Sequence, residues 1–141
     1  MINTLNELSY DDISIGQRES FMIIITASMV EKFSNLSGDL NPLHMDNEFA
    51  ESSSFKKRIV HGMLLASFFS QLIGMKLPGK NALYFSQTLN FRSPCYIDDK
   101  IEIIGEVIEK SDSTKIITIS TSIFNKSKTC LIDGIAKIIV K

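Results

Sequence analysis

The sequence predicts an α+β domain in which an antiparallel β-sheet wraps around one long buried helix. The first observation is that residues 61–77 are apolar around almost the whole circumference of a helix, with Lys76 as the only full charge. A helix of this kind must be buried on nearly all sides. The second observation is that long β-prone runs follow it, at residues 82–91, 100–110, 115–124 and 129–140. These runs can supply the sheet that covers the helix.

The elements before this helix follow from local signals. Residues 21–26 form an apolar, β-prone run that predicts a strand, and Thr26 can then cap a helix that extends to about Leu36. Gly38 is expected to end that helix, as glycine commonly does. Residues 38–45 are expected to form an ordered loop, because Asn41-Pro42 cannot continue a helix. Asp46 can cap a short helical turn at residues 47–52.

The later runs have the two-residue period of half-buried strands. Two sets of isoleucine and valine alternate with polar residues, namely Ile101, Ile103 and Val107 with Glu102 and Glu106, and Ile117, Ile119 and Ile123 with Thr118, Ser120 and Ser122. Turn-like spacers separate the runs at residues 111–113 and 125–128. The last three strands are therefore expected to form an antiparallel meander.

Composition limits the class of protein. The 141 residues fit one domain (1–141), in which residues 1–15 are expected to form an irregular N-terminal extension. A net charge of −1 gives no basic excess for a nucleic-acid partner, and no apolar stretch is long enough to span a membrane. The first twenty residues contain no signal-peptide pattern, and the two cysteines form no metal-like pair. We therefore expect a cytoplasmic protein with free thiols and no metal site.

The chemistry is expected at residues 37–44, with the string SGDLNPLH. Asp39 and His44 can together hold one water, because one group can take its proton while the other donates. Taken singly, an aspartate after glycine is most often a turn residue, and a lone histidine is most often structural. The short loop is expected to withdraw Asp39 partly from water.

The start of the long helix supplies a second candidate. Gly62 lets a ligand oxygen approach the backbone, and its N–H at the positive helix end can stabilise an enolate-like oxygen. The alternative is that Gly62 only permits tight packing. We interpret His61 as structural. Ser70 is an isolated hydroxyl on the apolar helix, which can bond to a backbone carbonyl or face the Asp39–His44 loop.

The residues now show a resemblance to a known family. The strings FSNLSGDLNPLH at residues 33–44, IVHGML at 59–64 and LPGK at 77–80 resemble the hydratase-2 motif of the MaoC-like, (R)-specific enoyl-CoA hydratases. The resemblance runs from about residue 15 to residue 140, and the short length resembles the hydratases that serve polyhydroxyalkanoate synthesis. Met29 departs from the acidic residue that the family often has there.

The resemblance implies a hot-dog fold, a homodimer with two active sites near its interface, and conversion of trans-2-enoyl-CoA to (R)-3-hydroxyacyl-CoA. It implies that Asp39 and His44 are the catalytic pair, that the Gly62 amide binds the thioester oxygen and that Ser70 assists the site. Ile73 falls where the acyl pocket would be. No metal or redox cofactor is implied, since coenzyme A arrives with the substrate. The candidate substrate-binding residues are Asn41, Ile73, Lys56, Arg58 and Arg92.

Two alternatives stay open. A dehydratase acting on acyl carrier protein would use the same pair, and an acidic carrier would favour a basic rim such as Lys56, Lys57, Arg58 and Arg92. Those charges can equally bind coenzyme A phosphates or stay solvated. The second alternative is a silent hot-dog module that binds acyl-CoA. The presence of both Asp39 and His44 argues against it, because a pure binder has no need of an acid–base pair.

Overall fold

The computed structural model describes residues 4–141, which form one six-stranded antiparallel sheet and a group of helices. The elements in chain order are a 3-10 turn (Tyr10–Asp12), β1 (Arg18–Ile24), α1 (Ala27–Ser37), α2 (Pro42–Met45), α3 (Asn47–Ser52), α4 (Gly62–Gln71), a π-helical segment (Leu72–Lys76), β2 (Ala82–Gln87), β3 (Asn90–Phe91), β4 (Lys100–Ser111), β5 (Ile116–Asn125) and β6 (Cys130–Val140). The strand order is β1-β4-β5-β6-β2, and β3 also pairs with β6. The predicted α+β class and the meander β4-β5-β6 are confirmed.

The core lies between α4, with the π-helical segment that continues it, and the sheet. Phe69 and Ile73 are at most 1% exposed, and they join one cluster with the inward-facing isoleucines of β4 and β5. This side of the helix is buried as predicted. The opposite side is not, because Met63 is 57% exposed and Ser70 also lies on the surface of the chain. One sheet can cover only one face of a helix, so the expectation of burial on nearly all sides is wrong for the single chain.

Helix α1 begins and ends where the sequence predicts. The Thr26 hydroxyl accepts the N–H of Met29 at 3.2 Å, and Gly38 follows the last turn with a left-handed φ of 81°. The Asp46 carboxylate likewise caps α3 by accepting the N–H of Glu48 at 2.9 Å. These caps confirm that local side-chain chemistry sets the boundaries on both sides of residues 38–45.

The structure corrects three boundaries. Strand β1 begins at Arg18, because it follows the long β4 as far as Glu106. Residues 82–91 form two strands, since the Thr88 hydroxyl accepts the N–H of Ile135 in place of a backbone partner. The second half of the predicted loop 38–45 is helical, because Pro42 stands at the first position of α2, where its missing N–H costs nothing.

The chain before β1 is fastened to the end of the π-helical segment. The Asn6 N–H donates to the Met75 carbonyl at 2.8 Å, and the Leu8 N–H donates to the Pro78 carbonyl at 3.1 Å.

Within residues 4–141, no helix is long and apolar enough to cross a membrane. Both cysteines are free thiols.

Candidate active site

The first half of the 38–45 segment, together with α2, brings Asp39 and His44 together. The His44 Nε2 lies 3.9 Å from the Asp39 Oδ2, with 14% of the histidine side chain and 49% of the aspartate side chain exposed. The Asp39 Oδ1 accepts the N–H of Asn41 at 3.2 Å, so one oxygen fixes the turn while the other faces the imidazole. The separation is too long for a direct hydrogen bond but suits one bridging water. The expected withdrawal of Asp39 from water is not observed in the single chain.

Hydrogen bonding determines which nitrogen of His44 can act as a base. The His44 Nδ1 lies 2.8 Å from the Ile59 carbonyl oxygen, which can only accept, so Nδ1 carries the proton. The Nε2 that faces Asp39 is then an unprotonated acceptor in the neutral ring. The strand-like segment before α4 therefore fixes both the tautomer and the orientation of His44.

Asn41 lies within this arrangement as a structural cap. Its Oδ1 accepts the Leu43 N–H at 2.9 Å and so begins α2, which carries His44. The Arg58 Nε donates to the His44 carbonyl oxygen at 2.5 Å. Asn41 and Arg58, predicted as substrate-binding residues, thus each use one polar atom to hold the segment that carries His44.

His61 is the residue of this site whose importance the sequence did not indicate. It is 2% exposed, and its ring stacks on the His44 ring with centroids 3.9 Å apart. Its Nε2 lies 3.1 Å from the Asp39 carbonyl oxygen and 3.1 Å from the Ser34 Oγ. The structural interpretation of His61 was right about its burial. Its contacts with both Asp39 and His44 depend on packing, and nothing in the local sequence signals them.

Burial also affects the charge state of His61. Desolvation lowers the pKa of its imidazole, and the neighbouring His44 and Arg58 lower it further, against the opposing effects of the Asp39 carbonyl and carboxylate. His61 is therefore neutral where an ordinary histidine begins to gain charge.

Gly62 opens α4, as predicted, and its N–H is among the first amides of the helix, which have no intrahelical acceptor. A Cβ at this position would lie 2.6 Å from two ring atoms of Phe91. The Phe91 ring, itself 57% exposed, therefore lies against the helix start in a way that only glycine permits. Both residues line a cleft of about 340 Å³. The sequence did not indicate Phe91, because its contact with Gly62 joins residues far apart in the chain. Strand β3, which carries Phe91, is held in place by pairing with β6.

The remaining predicted residues lie apart from the pair or have other partners. Ser70 lies on the exposed face of α4, so its expected burial is wrong for the single chain. Within residues 4–141, no hydrogen bond joins its hydroxyl to Asp39 or His44. Ile73 is fully buried in the core. Arg92 pairs with Asp133, with Nε and Oδ2 3.1 Å apart. Its guanidinium thus has a protein partner at the surface.

Lys56 is exposed and, together with Arg58, lines a larger cleft of about 650 Å³. Lys57 lies on the same cleft, with its Nζ 4.9 Å from the centre of the Tyr96 ring. Glu51 is the one carboxylate among the residues lining it. The cleft thus presents a net positive lining, and one of its residues, Arg58, also bonds to the His44 carbonyl oxygen.

Asp39, His44 and His61 are the one group in residues 4–141 whose donor atoms lie close enough together, within 4.8 Å, for a metal ion. The stacked rings argue against this use. Their planes differ by only 28°, so in-plane lone pairs of the two rings cannot converge on an ion about 2 Å from each nitrogen. The arrangement suits proton transfer better than metal binding.

Comparison with known proteins gives concordant similarities. A model of the MaoC-like domain matches residues 14–127. The chain is 38% identical over 127 residues to an (R)-specific enoyl-CoA hydratase of Aeromonas caviae, covering 90% of this chain and 95% of that protein. The solved structure of that hydratase, described as involved in PHA biosynthesis, has a TM-score of 0.89.

Two further proteins show the range of the similarity. R-hydratase PhaJ1 from Pseudomonas aeruginosa is 32% identical, with a TM-score of 0.92 over 96% of this chain and 87% of that one. A mitochondrial 3-hydroxyacyl-[acyl-carrier-protein] dehydratase of Arabidopsis thaliana is 38% identical over 122 residues, covering 83% of this chain and 71% of that protein.

Proposed function

The chain belongs to the MaoC-like family, and from this premise we propose that it is a hydro-lyase for the reversible, (R)-specific hydration of trans-2-enoyl-CoA to (R)-3-hydroxyacyl-CoA. The observation that carries the proposal is the His44 Nε2, held as a free acceptor 3.9 Å from the Asp39 carboxylate. The 38% identity to the Aeromonas caviae (R)-specific enoyl-CoA hydratase supports the substrate class and the product hand.

In the proposed reaction, one water lies between His44 and Asp39. The Nε2 takes a proton from this water as its oxygen bonds to C3 of the enoyl chain, and the electron pair of the double bond moves onto the thioester oxygen. The imidazolium passes this proton to the Asp39 carboxylate, which donates it to C2 of the enolate. The net addition is one water, and both groups return to their starting forms. Both groups act from one side of the substrate, which gives syn addition.

The Gly62 N–H is proposed to donate to the thioester oxygen as that oxygen gains negative charge. The first amides of α4 lack intrahelical acceptors, and the helix dipole adds positive potential there. The neighbouring 340 Å³ cleft leaves room for the thioester arm beside this amide. We keep Ser70 as a proposed assisting group only within a dimer, since its hydroxyl is exposed in the single chain.

The test is hydration of crotonyl-CoA, followed by loss of the conjugated-thioester absorbance and by chiral analysis of the product. Asp39→Asn and His44→Gln should each lower kcat by at least about 100-fold, while the melting temperature stays near that of the wild type. Asp11→Asn, which changes an aspartate on the 3-10 turn, is the matched control. An (S) product, or full activity in either pair variant, would contradict the proposal.

We propose coenzyme A as the carrier, with its nucleotide phosphates in the basic 650 Å³ cleft at Lys56 and Lys57. Arg58 also lines this cleft, with its Nε bonded to the His44 carbonyl oxygen, whereas Arg92 lines the 340 Å³ cleft and pairs with Asp133. Lys56→Gln with Lys57→Gln should raise KM for crotonyl-CoA but not for crotonyl-pantetheine, which lacks the nucleotide. Equal effects on both substrates would contradict this site.

The second candidate is a dehydratase for acyl carrier protein, which the Arabidopsis relative and the same basic cleft favour. Activity on a carrier-linked 3-hydroxyacyl chain, with none on any enoyl-CoA, would support this candidate over the first.

We propose that the protein is a homodimer. Strand β2 is at the edge of the sheet and exposes Leu83 and Phe85 at 48% and 49%, and Met63 is exposed on the uncovered face of α4. Such apolar surface suits a self-complementary interface. Analytical ultracentrifugation should give twice the 15.8 kDa chain mass, and a monomer at micromolar concentration would contradict the dimer. We also propose a cytoplasmic location, which the two free thiols favour.

A further inference from the structure

His61 contacts both halves of the acid–base pair without being part of it. Its ring stacks on the His44 ring at 3.9 Å, while its Nε2 lies 3.1 Å from the Asp39 carbonyl oxygen. At 2% exposure it is sealed from solvent, and it packs edge-on against the Phe33 ring at 5.0 Å. Neighbours thus surround the buried His61 ring, and two of them are Asp39 and His44.

The hydrogen-bond partners assign the proton on His61. A backbone carbonyl only accepts, so the 3.1 Å contact with Asp39 requires the proton on Nε2. The Ser34 hydroxyl lies 2.9 Å from the Met45 sulfur and can donate to it, which leaves an oxygen lone pair for the same N–H. The Nδ1 is buried and has no partner among residues 4–141, which is less costly for a bare nitrogen than for an N–H.

We propose that His61 is the positioning residue of this active site: as a neutral Nε2–H imidazole, it holds the Asp39 backbone and the His44 ring in one reactive arrangement. This inference rests on the proposed hydratase function. The charged and titratable groups that face His61 are Asp39, His44 and Arg58. A neutral ring in this position leaves His44 free to carry positive charge after it takes the proton of water, whereas a charged ring would oppose it.

Two variants separate the two contacts. His61→Phe keeps a flat ring against His44 but loses the N–H to Asp39, and His61→Gln keeps an N–H of similar reach but loses the stacked ring. Because His61 is only 2% exposed and acts through Asp39 and His44, kcat should fall on the order of 10- to 100-fold in His61→Phe, with KM changed less than about threefold. His61→Gln should recover a part of kcat, because it restores an N–H toward the Asp39 carbonyl oxygen.

The control for lost stability is Ile119→Ala, a core truncation on β5, which should lower the melting temperature while leaving kcat unchanged. A second readout that does not depend on activity is nitrogen-15 NMR of the imidazoles. At pH 6.5, where an ordinary histidine is half charged, His61 should be mostly in the neutral Nε2–H form.

The outcomes separate this inference from the proposed function. Wild-type hydration with unchanged kcat in His61→Phe would overturn the positioning role and leave the function standing. Titration of His61 near pH 6.5, or a proton on Nδ1, would also overturn it. Loss of kcat with unchanged KM, together with the Nε2–H signature, supports it. An inactive wild-type protein would instead contradict the proposed function.

Discussion

Replacing Gly62 with alanine should slow hydration strongly while changing stability little. A Cβ at this position lies 2.6 Å from both Cδ1 and Cε1 of Phe91, far inside the 3.5–4.0 Å at which carbon atoms pack. The Phe91 ring is 57% exposed and belongs to a two-residue strand, so it can swing outward. The lost ring contact is offset by the roughly 0.5–1 kcal/mol that alanine gains over glycine in a helix. We expect the free energy of unfolding to change by less than about 1 kcal/mol.

The rate should respond differently, because the methyl group lies beside the amide that is proposed to bind the thioester oxygen. Complete loss of one oxyanion donor costs on the order of 10²–10³ in kcat. In Gly62→Ala the N–H at residue 62 remains, but the added methyl group obstructs the approach of the thioester oxygen to it. We therefore expect kcat for crotonyl-CoA to fall about 10- to 100-fold. The assay is loss of enoyl-thioester absorbance, with the melting temperature measured by calorimetry on the same preparations.

Gly74→Ala is the matched control, because a Cβ there has no heavy atom within 4 Å. This variant should keep the wild-type kcat and be slightly more stable. Wild-type kcat and KM in Gly62→Ala would refute the assignment of the oxyanion donor. An equal loss in Gly74→Ala would show that the effect belongs to the helix as a whole and not to this amide.

Three further outcomes follow from buried side chains. Ile73 is fully buried, so Ile73→Ala should lower the free energy of unfolding in urea by about 2–5 kcal/mol. It should also raise kcat/KM for longer enoyl chains relative to C4, and an unchanged ratio of kcat/KM between long and short chains would contradict an acyl-pocket role. Burial lowers the pKa of His61, so as the pH falls the unfolded chain binds this proton before the folded chain does. The contribution of His61 to the free energy of unfolding should therefore be complete above about pH 6.5. Below that pH it should fall by up to about 1.4 kcal/mol per pH unit until the folded-state pKa is reached. In denaturant melts at several pH values, His61→Phe should remove this slope, and a slope of opposite sign would contradict a buried neutral ring. Burial also raises the pKa of the Cys95 thiol to about 12, so iodoacetamide at pH 8 should modify Cys130 first. Peptide mass analysis would show the order of modification, and faster reaction at Cys95 would contradict its burial.

Local sequence signals were sufficient for the elements that flank the site. Thr26, Gly38 and Asp46 act through hydrogen bonds and backbone conformation within a few residues, so their caps could be predicted directly. Pro42 shows the limit of the same reasoning, because proline that breaks a helix interior also favours a helix start, and the choice depended on the Asn41 cap.

Charge alone did not reveal the protein partners of the two arginines. Arg58 and Arg92, predicted as substrate-binding residues, also bond to the His44 carbonyl and to Asp133. A charged side chain takes the nearest partner that the fold supplies, and that partner can be many residues away in the chain. The exposure of Ser70 has a related cause, since a helix that is apolar on all sides still exposes one face when a single sheet covers the other.

The sequence by itself determined the α+β class, the antiparallel meander and the location of the Asp39–His44 segment, because periodicity, caps and the motif are all local properties of the chain. Tertiary structure alone decided the tautomer of His44, through the Ile59 carbonyl, and the stacking of His61 upon it. It also decided that Phe91 lies against Gly62. Each of these contacts joins residues from different elements, so it depends on how the sheet and helices pack and not on the order of residues along one of them.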